Sequence, residues 1–393
     1  MEEFASAHGE AHNNGSAAAS HGLPRLAVVG PFPPPYGGWA HVVCSFLRPP
    51  FSEAFRLVAF DSGFGPQSPA GRVGRLVKAC SSVSSFARFV RKHQPEAVLV
   101  FVGPGMSMWR DLVLLQICHR HRLPVYVRFF GGVIIKIIED LPLPLRTLWL
   151  RNLRRSKAIL VETHEMANLA KLLLGSHQVF RIPNHIHKGD FTQTCQSLPN
   201  DLHVLYLGSM TPSKGVEVIL DCLQKVSKSV RVHAHFVGGE LRKGYLEEFR
   251  RKVLKVWCAE RITIYGSVAH EKALEIARRC HIFAFPTRWN GEGQPGALVE
   301  AMASGLVPIV TNWRGCAEIV EDGVNGFVLD RAEPEALARC IETLDRDRLL
   351  LSKLGHEARE TIMRHYEATP ALTQFKAVIE QTWLNKEYKQ KTL

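Results

Sequence analysis

The chain carries the stretch E-G-Q-P-G-A-L-V-E at Glu292–Glu300, between I-F-A-F-P-T at Ile282–Thr287 and L-V-P-I-V-T at Leu306–Thr311. Both flanking runs are apolar, which predicts two buried parallel strands. The stretch between them predicts a Gly-rich loop and a short helix over roughly Gly296–Ser304. This order of strand, loop, helix and strand is typical of an α/β fold with a parallel sheet.

Glu300 is the charged residue of an otherwise apolar helix, and a buried carboxylate is costly unless it is paired or hydrogen-bonded. Helices that follow strands in parallel sheets point their N-termini at the crevice where ligands bind, and helix N-termini attract phosphate. We therefore expect the loop to hold a phosphate while Glu300 accepts hydrogen bonds from nearby hydroxyls, a combination that describes a nucleotide. In the alternative interpretation, Glu300 reaches the surface or pairs with an Arg, and Glu292 is a solvated loop charge. The spacing and context of the two glutamates together favour the site.

Two series of apolar runs alternate with helical patterns, and alternation of this kind predicts parallel sheets flanked by helices. The first series comprises Leu26–Gly30, Ala97–Gly105, Pro124–Gly132 and Ala158–Thr163, and the second comprises His203–Gly208, Val232–Gly239, Ile262–Gly266 and the two strands already named. Two series predict two Rossmann-like domains whose sheets face a central cleft, joined near Asn184–Pro199. An amphipathic helix over about Pro370–Lys386 is expected to pack across both domains.

Composition limits the classes of protein to which the chain can belong. Its 393 residues, 46% hydrophobic and 22% charged, are typical of a soluble protein of two domains, and no apolar run is long enough to span a bilayer. Met1–Gly22 lacks the pattern of a signal peptide and predicts a disordered tail, which favours a cytoplasmic location. Nine cysteines without a C-x-x-C pair indicate a reducing compartment.

Three H-x-H pairs occur, at His119/His121, His185/His187 and His233/His235. None has the additional Cys, His or carboxylate spacing of a metal site. We interpret them as ordinary surface or strand histidines and predict no metal and no cofactor.

The formal net charge of +12 favours partners that carry phosphate. No nucleic-acid module is evident, so nucleic acid is not an expected partner. Basic residues concentrate after I-I-K-I-I (Ile134–Ile138), at Arg146, Arg151, Arg154, Arg155 and Lys157. One interpretation is contact with an anionic membrane surface, and the other is a core element followed by a solvated basic helix.

Two further patterns suit phosphate binding. Lys214-Gly215 follows an apolar run and opens a helix over Val216–Val226, where a lysine is well placed to neutralise a diphosphate. Gly37-Gly38 follows the first strand and lets backbone amides approach a phosphate, although a plain Pro-rich turn explains these glycines equally well. The chain lacks G-x-x-x-x-G-K-[ST] and a G-x-G-x-x-G after its first strand, which disfavours a P-loop NTPase or an NAD enzyme.

The C-terminal half resembles the retaining glycosyltransferases of the two-domain GT-B fold, specifically the "group 1" family, also called glycosyltransferase family 4. The matching motifs lie in order over Leu205–Leu329: Y-L-G-S-M-T-P-S-K-G, F-V-G-G, I-Y-G-S-V, F-P-T-R-W-N-G-E-G-Q-P-G-A-L-V-E-A-M-A-S-G-L-V-P-I-V and G-C-A-E-I-V-E-D-G-V-N-G-F-V. The N-terminal half matches sparsely, through Pro35–Gly38 and P-V-Y-V, as is usual for the half that recognises varied acceptors. The resemblance implies domains at 23–190 for the acceptor and 198–365 for the nucleotide sugar, with 366–393 as the final helix.

The resemblance also implies roles for the matching residues. Glu292 and Lys214 would be the catalytic pair, with Glu292 on the donor hexose and Lys214 on the leaving diphosphate. Glu300 would hold the ribose hydroxyls. The remaining donor-binding positions would be Gly37, Gly38, Ser209, Gly266, Ser267, Arg288, Gly293, Gln294, Pro295 and Gly296.

This sequence departs from the family's pattern at two positions. Ser209 stands where the family usually has an Arg that clamps the diphosphate, and Arg288 or Arg314 is a candidate to replace it. Phe130 stands where the family often has a His that contacts the donor sugar. Both departures bear on the identity of the donor.

The resemblance implies a retaining, metal-independent transfer of a sugar from a nucleotide diphosphate sugar to a lipid-linked or growing glycan acceptor. Bacterial polysaccharide or lipopolysaccharide assembly at the inner face of the membrane is the setting expected by analogy. Two alternatives remain open. One is a non-catalytic nucleotide-sugar-binding protein on the same fold, and the other is a GT-B nucleotide-sugar epimerase.

Overall fold

A computed structural model describes residues 23–33, 38–63, 72–175, 178–190 and 201–384. The predicted tail Met1–Gly22, Gly37 and residues 191–200 of the predicted interdomain link lie outside the described residues. Side chains are described throughout these ranges except at 72–79 and 383–384.

Two six-stranded parallel sheets form the framework, which confirms the predicted α/β fold with two Rossmann-like sheets. The strands of the first sheet are β1 (Arg25–Gly30), β2 (Arg56–Asp61), β3 (Ala97–Val102), β4 (Val125–Phe129), β5 (Ala158–Val161) and β6 (Val179–Arg181). Those of the second sheet are β7 (Leu202–Leu207), β8 (Val232–Val237), β9 (Ile262–Gly266), β10 (Ile282–Phe285), β11 (Val307–Thr311) and β12 (Phe327–Leu329). The first set falls within the predicted domain 23–190 and the second within 198–365, whose boundaries remain a prediction.

Helices connect the strands and flank both sheets. In the first half they are α1 (Gly38–Ser45), α2 (Phe51–Ala54), α3 (Arg72–His93), α4 (Ser107–Arg120), α5 (Ile134–Glu139), α6 (Leu143–Arg155) and α7 (His164–Leu174). In the second half they are α8 (Val216–Lys225), α9 (Tyr245–Val253), α10 (His270–Ala277), α11 (Gly296–Ala303), α12 (Pro334–Arg346), α13 (Arg348–His365) and α14 (Ala368–Ile379). Short 3-10 turns lie at Lys188–Asp190, Pro212–Lys214, Ala259–Arg261 and Arg314–Cys316, and a π turn lies at Glu380–Leu384.

The strand order locates the crevice of each sheet. The first sheet runs β2-β1-β3-β4-β5-β6 and the second runs β12-β11-β10-β7-β8-β9. In the second sheet the order reverses between β7 and β10, and ligands bind outside the carboxyl ends of the strands at such a switch point. The loops after β7 and β10 carry Lys214 and Glu292, so the fold brings both to this crevice.

Alternate residues of each strand pack on opposite faces of the sheet, because side chains alternate with a period of two. On β1, Leu26 and Val28 join one apolar cluster while Ala27 and Val29 join the other. Both faces of a parallel sheet are covered by helices, which explains why these strands read as continuous apolar runs.

The apolar run Ile134–Ile138 forms part of the core and is not a membrane-contacting segment. Ile134, Ile135 and Ile138 of α5 are buried against the first sheet. The next helix, α6, is basic, as one of the two interpretations expects, but it also exposes leucines: Leu143 is 74% exposed and Leu148 36%. An apolar and basic surface therefore exists on α6 and not at the isoleucines.

The last helix, α14, packs its apolar face on the first domain. Phe375 is fully buried, with its ring centroid 5.1 Å from that of Phe51 and 6.0 Å from that of Tyr126. The chain crosses from the second domain just before this helix, where Ile186 donates to the Tyr366 carbonyl and Ala368 donates to the Ile186 carbonyl, both at 3.0 Å.

Histidines cluster at the amino-terminal side of the second sheet. His203 on β7 stacks on His233 and His235 of β8, with ring centroids 5.0 and 5.2 Å apart. The His203 backbone amide donates to Nδ1 of His281, at 3.0 Å. Burial lowers the pKa of His203, and it lowers the pKa values of His235 and His281 to about 4.

This cluster predicts a loss of stability in acid. Between pH 6.5 and about 4 the unfolded chain binds protons at histidines that stay neutral in the folded protein, so stability falls as pH falls through this window. Glu162 and Asp111 act in the opposite direction, because burial raises their carboxyl pKa values to about 6. We expect a His235→Gln/His281→Gln variant to lose less stability than the wild type between pH 7 and pH 4.5 in urea unfolding.

The exposed His356→Gln change on α13 is the matched control and should leave the pH dependence unchanged. Equal losses in the wild type and the double variant would contradict the assignment of the acid sensitivity to these histidines.

Candidate functional site

The loop between β10 and α11 forms the centre of the site. Strand β10 ends at Phe285 and α11 begins at Gly296, with Pro295 at its N-cap position. Helix α11 ends at Ala303, within one residue of the predicted end, and buries Leu298, Val299 and Met302. This apolar face fixes the helix against the sheet and leaves its N-terminus at the crevice.

Lys214 and Glu292 form a buried ion pair in this crevice. Lys214 Nζ lies 3.3 Å from Glu292 Oε1, and the two side chains are 12% and 6% exposed. The ammonium also lies 4.4 Å from the ring centroid of Trp289, a cation–π contact. The opposite carboxylate oxygen, Oε2 of Glu292, accepts a hydrogen bond from the Thr287 hydroxyl at 3.1 Å.

Burial raises the pKa of Glu292, while the Lys214 ammonium and the Thr287 hydroxyl lower it. The carboxylate thus depends on Lys214 for its charge. An anionic ligand that approaches Lys214 competes with Glu292 for the same ammonium, so both side chains respond to charge in the crevice.

Gly215 sets the position of Lys214. Its φ of +83° is in the left-handed region, and a Cβ at this position would lie 2.3 Å from the Pro286 carbonyl oxygen. The turn Pro212–Lys214 therefore packs directly on the loop after β10, and Arg288 N donates to the Ser213 carbonyl at 2.8 Å. This close packing accounts for the glycine that follows Lys214.

Glu300 lies one turn into α11 and faces the same crevice. Its side chain is 16% exposed, and its Oε1 lies 4.0 Å from Nε2 of His41 on α1. Burial raises the pKa of Glu300, and the charge of His270 acts against that rise. Because Glu300 lines the cavity, its carboxyl group faces hydroxyl donors that enter the crevice.

A cavity of about 380 Å³ joins these groups between the two domains. Ten of the predicted site residues line this cavity: Gly38, Ser209, Lys214, Ser267, Glu292, Gly293, Gln294, Pro295, Gly296 and Glu300. Phe130 also lines it, stacked on Trp39 with ring centroids 5.4 Å apart. The position where the family often has a histidine is therefore part of an aromatic wall on the first domain.

Three predicted donor residues are placed differently or not described. Arg288 is exposed and does not line the cavity. Gly266 precedes the lining residue Ser267 and has a φ of +70°. Gly37 lies outside the described residues. Arg314 forms an ion pair with Glu165 at 2.5 Å and, like Arg288, does not line the cavity.

A chain of buried polar groups crosses between the domains beside the cavity. Arg128 on β4 is fully buried and donates to the Ile182 carbonyl at 2.6 Å and to Asn184 Oδ1 at 2.8 Å. Asn184 in turn donates through its backbone amide to Gln294 Oε1 at 2.7 Å and through Nδ2 to the Gln294 carbonyl at 2.8 Å. The loop after β10 is thus held in place by the first domain.

Glu162 completes this chain from the end of β5. Its Oε2 accepts from the Gln294 backbone amide at 3.1 Å, and a Cβ on Gly293 would lie 2.2 Å from the same oxygen. Burial raises the pKa of Glu162 to about 6, and the nearby Arg128 charge limits that rise. The glycine at 293 therefore allows the loop to lie directly on a buried carboxylate of the other domain.

Sequence reasoning missed several residues that line the cavity. They are Trp39, His41, Glu162, Asn184, His270 and Trp289. One signal was available, since Glu162 follows A-I-L-V at the carboxyl end of a buried strand, where ligand-binding residues concentrate. The other five lie in loops and helix starts with no comparable local pattern.

Comparison with known families supports the motif-based prediction. Residues 201–347 match the family described as "Glycosyl transferases group 1". An uncharacterized glycosyltransferase of Methanocaldococcus jannaschii is 24% identical over 195 residues, which cover 49% of this chain and 48% of the relative. The capsular polysaccharide biosynthesis glycosyltransferase CapM of Staphylococcus aureus is 25% identical over 181 residues, 44% of each protein. The alignments thus span about half the length of these relatives.

The fold likeness extends over both domains. The crystal structure of Anabaena HepE in complex with UDP superposes with a TM-score of 0.71 at 17% identity, covering 91% of this chain and 100% of that one. At this identity the likeness concerns the fold alone, and it includes the first domain, where sequence motifs are sparse. Residues 201–347 thus match the group 1 glycosyltransferase family, and the chain as a whole has the GT-B fold.

Proposed function

We propose that this chain is a glycosyltransferase that moves a sugar from a nucleoside diphosphate sugar to an acceptor. The observation that carries the proposal is the convergence of Lys214, Glu292 and Glu300 on one cavity at the switch point of the second sheet. A cation, a pair of carboxylates and a helix N-terminus within one crevice suit a ligand that combines phosphates with hydroxyls.

In this proposal the nucleotide lies along the second domain. Glu300 accepts hydrogen bonds from the ribose hydroxyls, and Ser267 and Val268 border the base. Lys214 and the N-terminus of α11 face the diphosphate, while Glu292 and the backbone of Gly293 and Gln294 face the donor hexose. The crystal structures of HepE in complex with UDP and with UDP-glucose support this class of ligand.

The chemical step follows from the charge that develops. As the bond between the anomeric carbon and the diphosphate oxygen breaks, its electron pair stays on the diphosphate and the sugar passes through an oxocarbenium-like state. Lys214 and the dipole of α11 stabilise the growing negative charge without a metal ion. The acceptor oxygen bonds to the anomeric carbon from the face that the diphosphate leaves, so the anomeric configuration is retained. The proton of the acceptor hydroxyl passes to the leaving phosphate oxygen.

The first domain would receive the acceptor, a lipid-linked or growing glycan. The name of the relative CapM supports a role in polysaccharide assembly.

No helix in the described part of the chain combines the length and apolarity needed to cross a membrane. Helix α6 instead presents the exposed Leu143 and Leu148 beside Arg151, Arg154 and Arg155, which suits a peripheral contact with an anionic inner-membrane surface. Co-sedimentation with anionic vesicles that is lost in Arg151→Glu/Arg154→Glu would support this contact, and unchanged co-sedimentation would refute it.

Donor turnover tests the proposal. The enzyme is expected to release nucleoside diphosphate from one sugar nucleotide in a glycan-acceptor-dependent manner in metal-free buffer, and NMR of the product should give the same anomeric configuration as the donor. Inversion of that configuration would refute retention. Tight binding of a sugar nucleotide with no turnover across an acceptor panel would favour the non-catalytic alternative. That alternative is motivated by Ser209 and Phe130, which stand where the family usually has an Arg and often has a His. Interconversion of donors without an acceptor would identify an epimerase.

A further inference from the structure

His41, His270 and Glu300 converge in the lining of the cavity. One ligand atom from each side chain lies within 4.8 Å of the ligand atoms of the other two. Within the described residues, this is the group of three His, Cys, Asp or Glu side chains close enough together to hold a metal ion. The His41 and His270 rings are 4.4 Å apart, and His41 Nε2 is 4.0 Å from Glu300 Oε1. The three side chains come from α1, α10 and α11, so the cluster spans both domains.

We propose that these three residues form a binding site for Zn²⁺ or a similar divalent ion that bridges the two domains. Two imidazoles and one carboxylate, with a water in the fourth position, are a common ligand set for Zn²⁺. Zn–N distances of about 2.0–2.1 Å place the ligand atoms of a tetrahedral site roughly 3.3 Å apart. The three ligand atoms lie within 4.8 Å of one another, so side-chain movements of about 1 Å would bring them to that spacing.

The surroundings of Glu300 favour a cation. Its side chain is 16% exposed, and its contact with His41 Nε2, at 4.0 Å, is too long for a hydrogen bond. A divalent ion would supply the positive charge that this partly buried carboxylate lacks.

The position of the ion has a consequence for the proposed function, on which this step rests. Glu300 is the carboxylate that we propose for the ribose hydroxyls, so a bound ion and a nucleotide use the same group. The ion would also link α1 of the first domain to α10 and α11 of the second. We therefore expect Zn²⁺ to act as an inhibitor that competes with the nucleotide and not as a catalytic ion.

The first experiment is a calorimetric titration of Zn²⁺ into the full chain, without a polyhistidine tag and without nucleotide. We expect a dissociation constant on the order of 1 µM or tighter, weakened at least about tenfold by His41→Gln and by His270→Gln. His235→Gln, in the separate histidine cluster of the second sheet, is the matched control and should not change the affinity. No Zn²⁺ binding, or weakening by His235→Gln alone, would overturn the site.

The second experiment measures UDP binding with and without Zn²⁺. In the wild type Zn²⁺ is expected to weaken UDP binding at least about tenfold, by reciprocal coupling between mutually exclusive ligands. In His270→Gln it should have no such effect, which separates competition at the site from chelation of Zn²⁺ by UDP itself. Equal weakening in both proteins, or none in either, would overturn the competition. Because the first titration contains no nucleotide, a chain that binds Zn²⁺ but no nucleoside diphosphate would refute the proposed function and leave the metal site standing.

Discussion

Replacing Lys214 with methionine is expected to lower kcat for sugar transfer by about 10²–10³-fold, the usual effect of removing one preorganised group that stabilises developing negative charge. Lys214 Nζ is held by Glu292 at 3.3 Å and by the Trp289 ring at 4.4 Å, so it needs little rearrangement to meet the leaving diphosphate. Methionine keeps the unbranched stem and removes only the charge. The pKa of the buried Glu292 should then rise further, because burial raises it and the Lys214 ammonium that opposes this effect is gone.

The measurement is kcat at saturating donor, with thermal melting to confirm that the variant is folded at the assay temperature. Lys225→Met on α8 is the matched control. The Lys225 side chain is 43% exposed, and its ammonium pairs with Glu335 on the surface. Removal of this ammonium should change kcat by less than about twofold. A Lys214→Met enzyme that keeps more than about a tenth of the wild-type kcat would contradict the assigned role.

Replacing Arg128 with methionine is expected to cost about 3–5 kcal/mol of unfolding free energy. The guanidinium is fully buried and holds both the Ile182 carbonyl and the Asn184 side chain. Its removal breaks two hydrogen bonds and leaves the Glu162 carboxylate without the positive charge that opposes its raised pKa. Since Asn184 also binds Gln294, the loop after β10 should loosen as well.

Thermal unfolding measures this effect, and the expected decrease in Tm is roughly 6–20 °C. Arg279→Met is the control, because the Arg279 side chain is 73% exposed and pairs with Glu275 on the surface. Its unfolding free energy should lie within about 0.5 kcal/mol of the wild-type value. Adding Glu162→Gln to Arg128→Met should restore part of the loss, because the uncompensated buried charge is removed. A loss below about 1 kcal/mol for Arg128→Met would show that the cross-domain polar chain contributes little.

The second sheet and its half of the site could be predicted because their signals are local. Strand, loop and helix follow one another around Glu292 and Glu300, and Lys214 has its own strand and helix start. The edge strands β2, β6 and β12 were missed. The last two have three residues each, too short for a periodic signal, and β2 is a partly exposed edge strand.

The half of the site contributed by the first domain could not be predicted in the same way. Glu162 and Gln294 are 132 residues apart in sequence, and their contact exists only after two separate sheets have folded and met. The pairing of His41 with Glu300 has the same origin. Local periodicity predicts which residues enter a strand or helix, and it carries no information on which loop of one sheet faces which loop of the other.

The most direct test of the proposed nucleotide site is a thermal-shift panel of UDP, GDP, ADP, CDP and TDP on the wild type, on Glu300→Ala and on the exposed control Glu247→Ala in metal-free buffer. At about one hundred times its dissociation constant, the cognate diphosphate should add roughly 2.7 kcal/mol of stability, which is several degrees of Tm. We expect one diphosphate to stabilise the wild type and Glu247→Ala, and most of that shift to disappear in Glu300→Ala, because hydrogen bonds to a charged group contribute about 1.5–3 kcal/mol. The absence of a shift with all five diphosphates, or an equal shift in Glu300→Ala, would contradict a nucleotide site at Glu300.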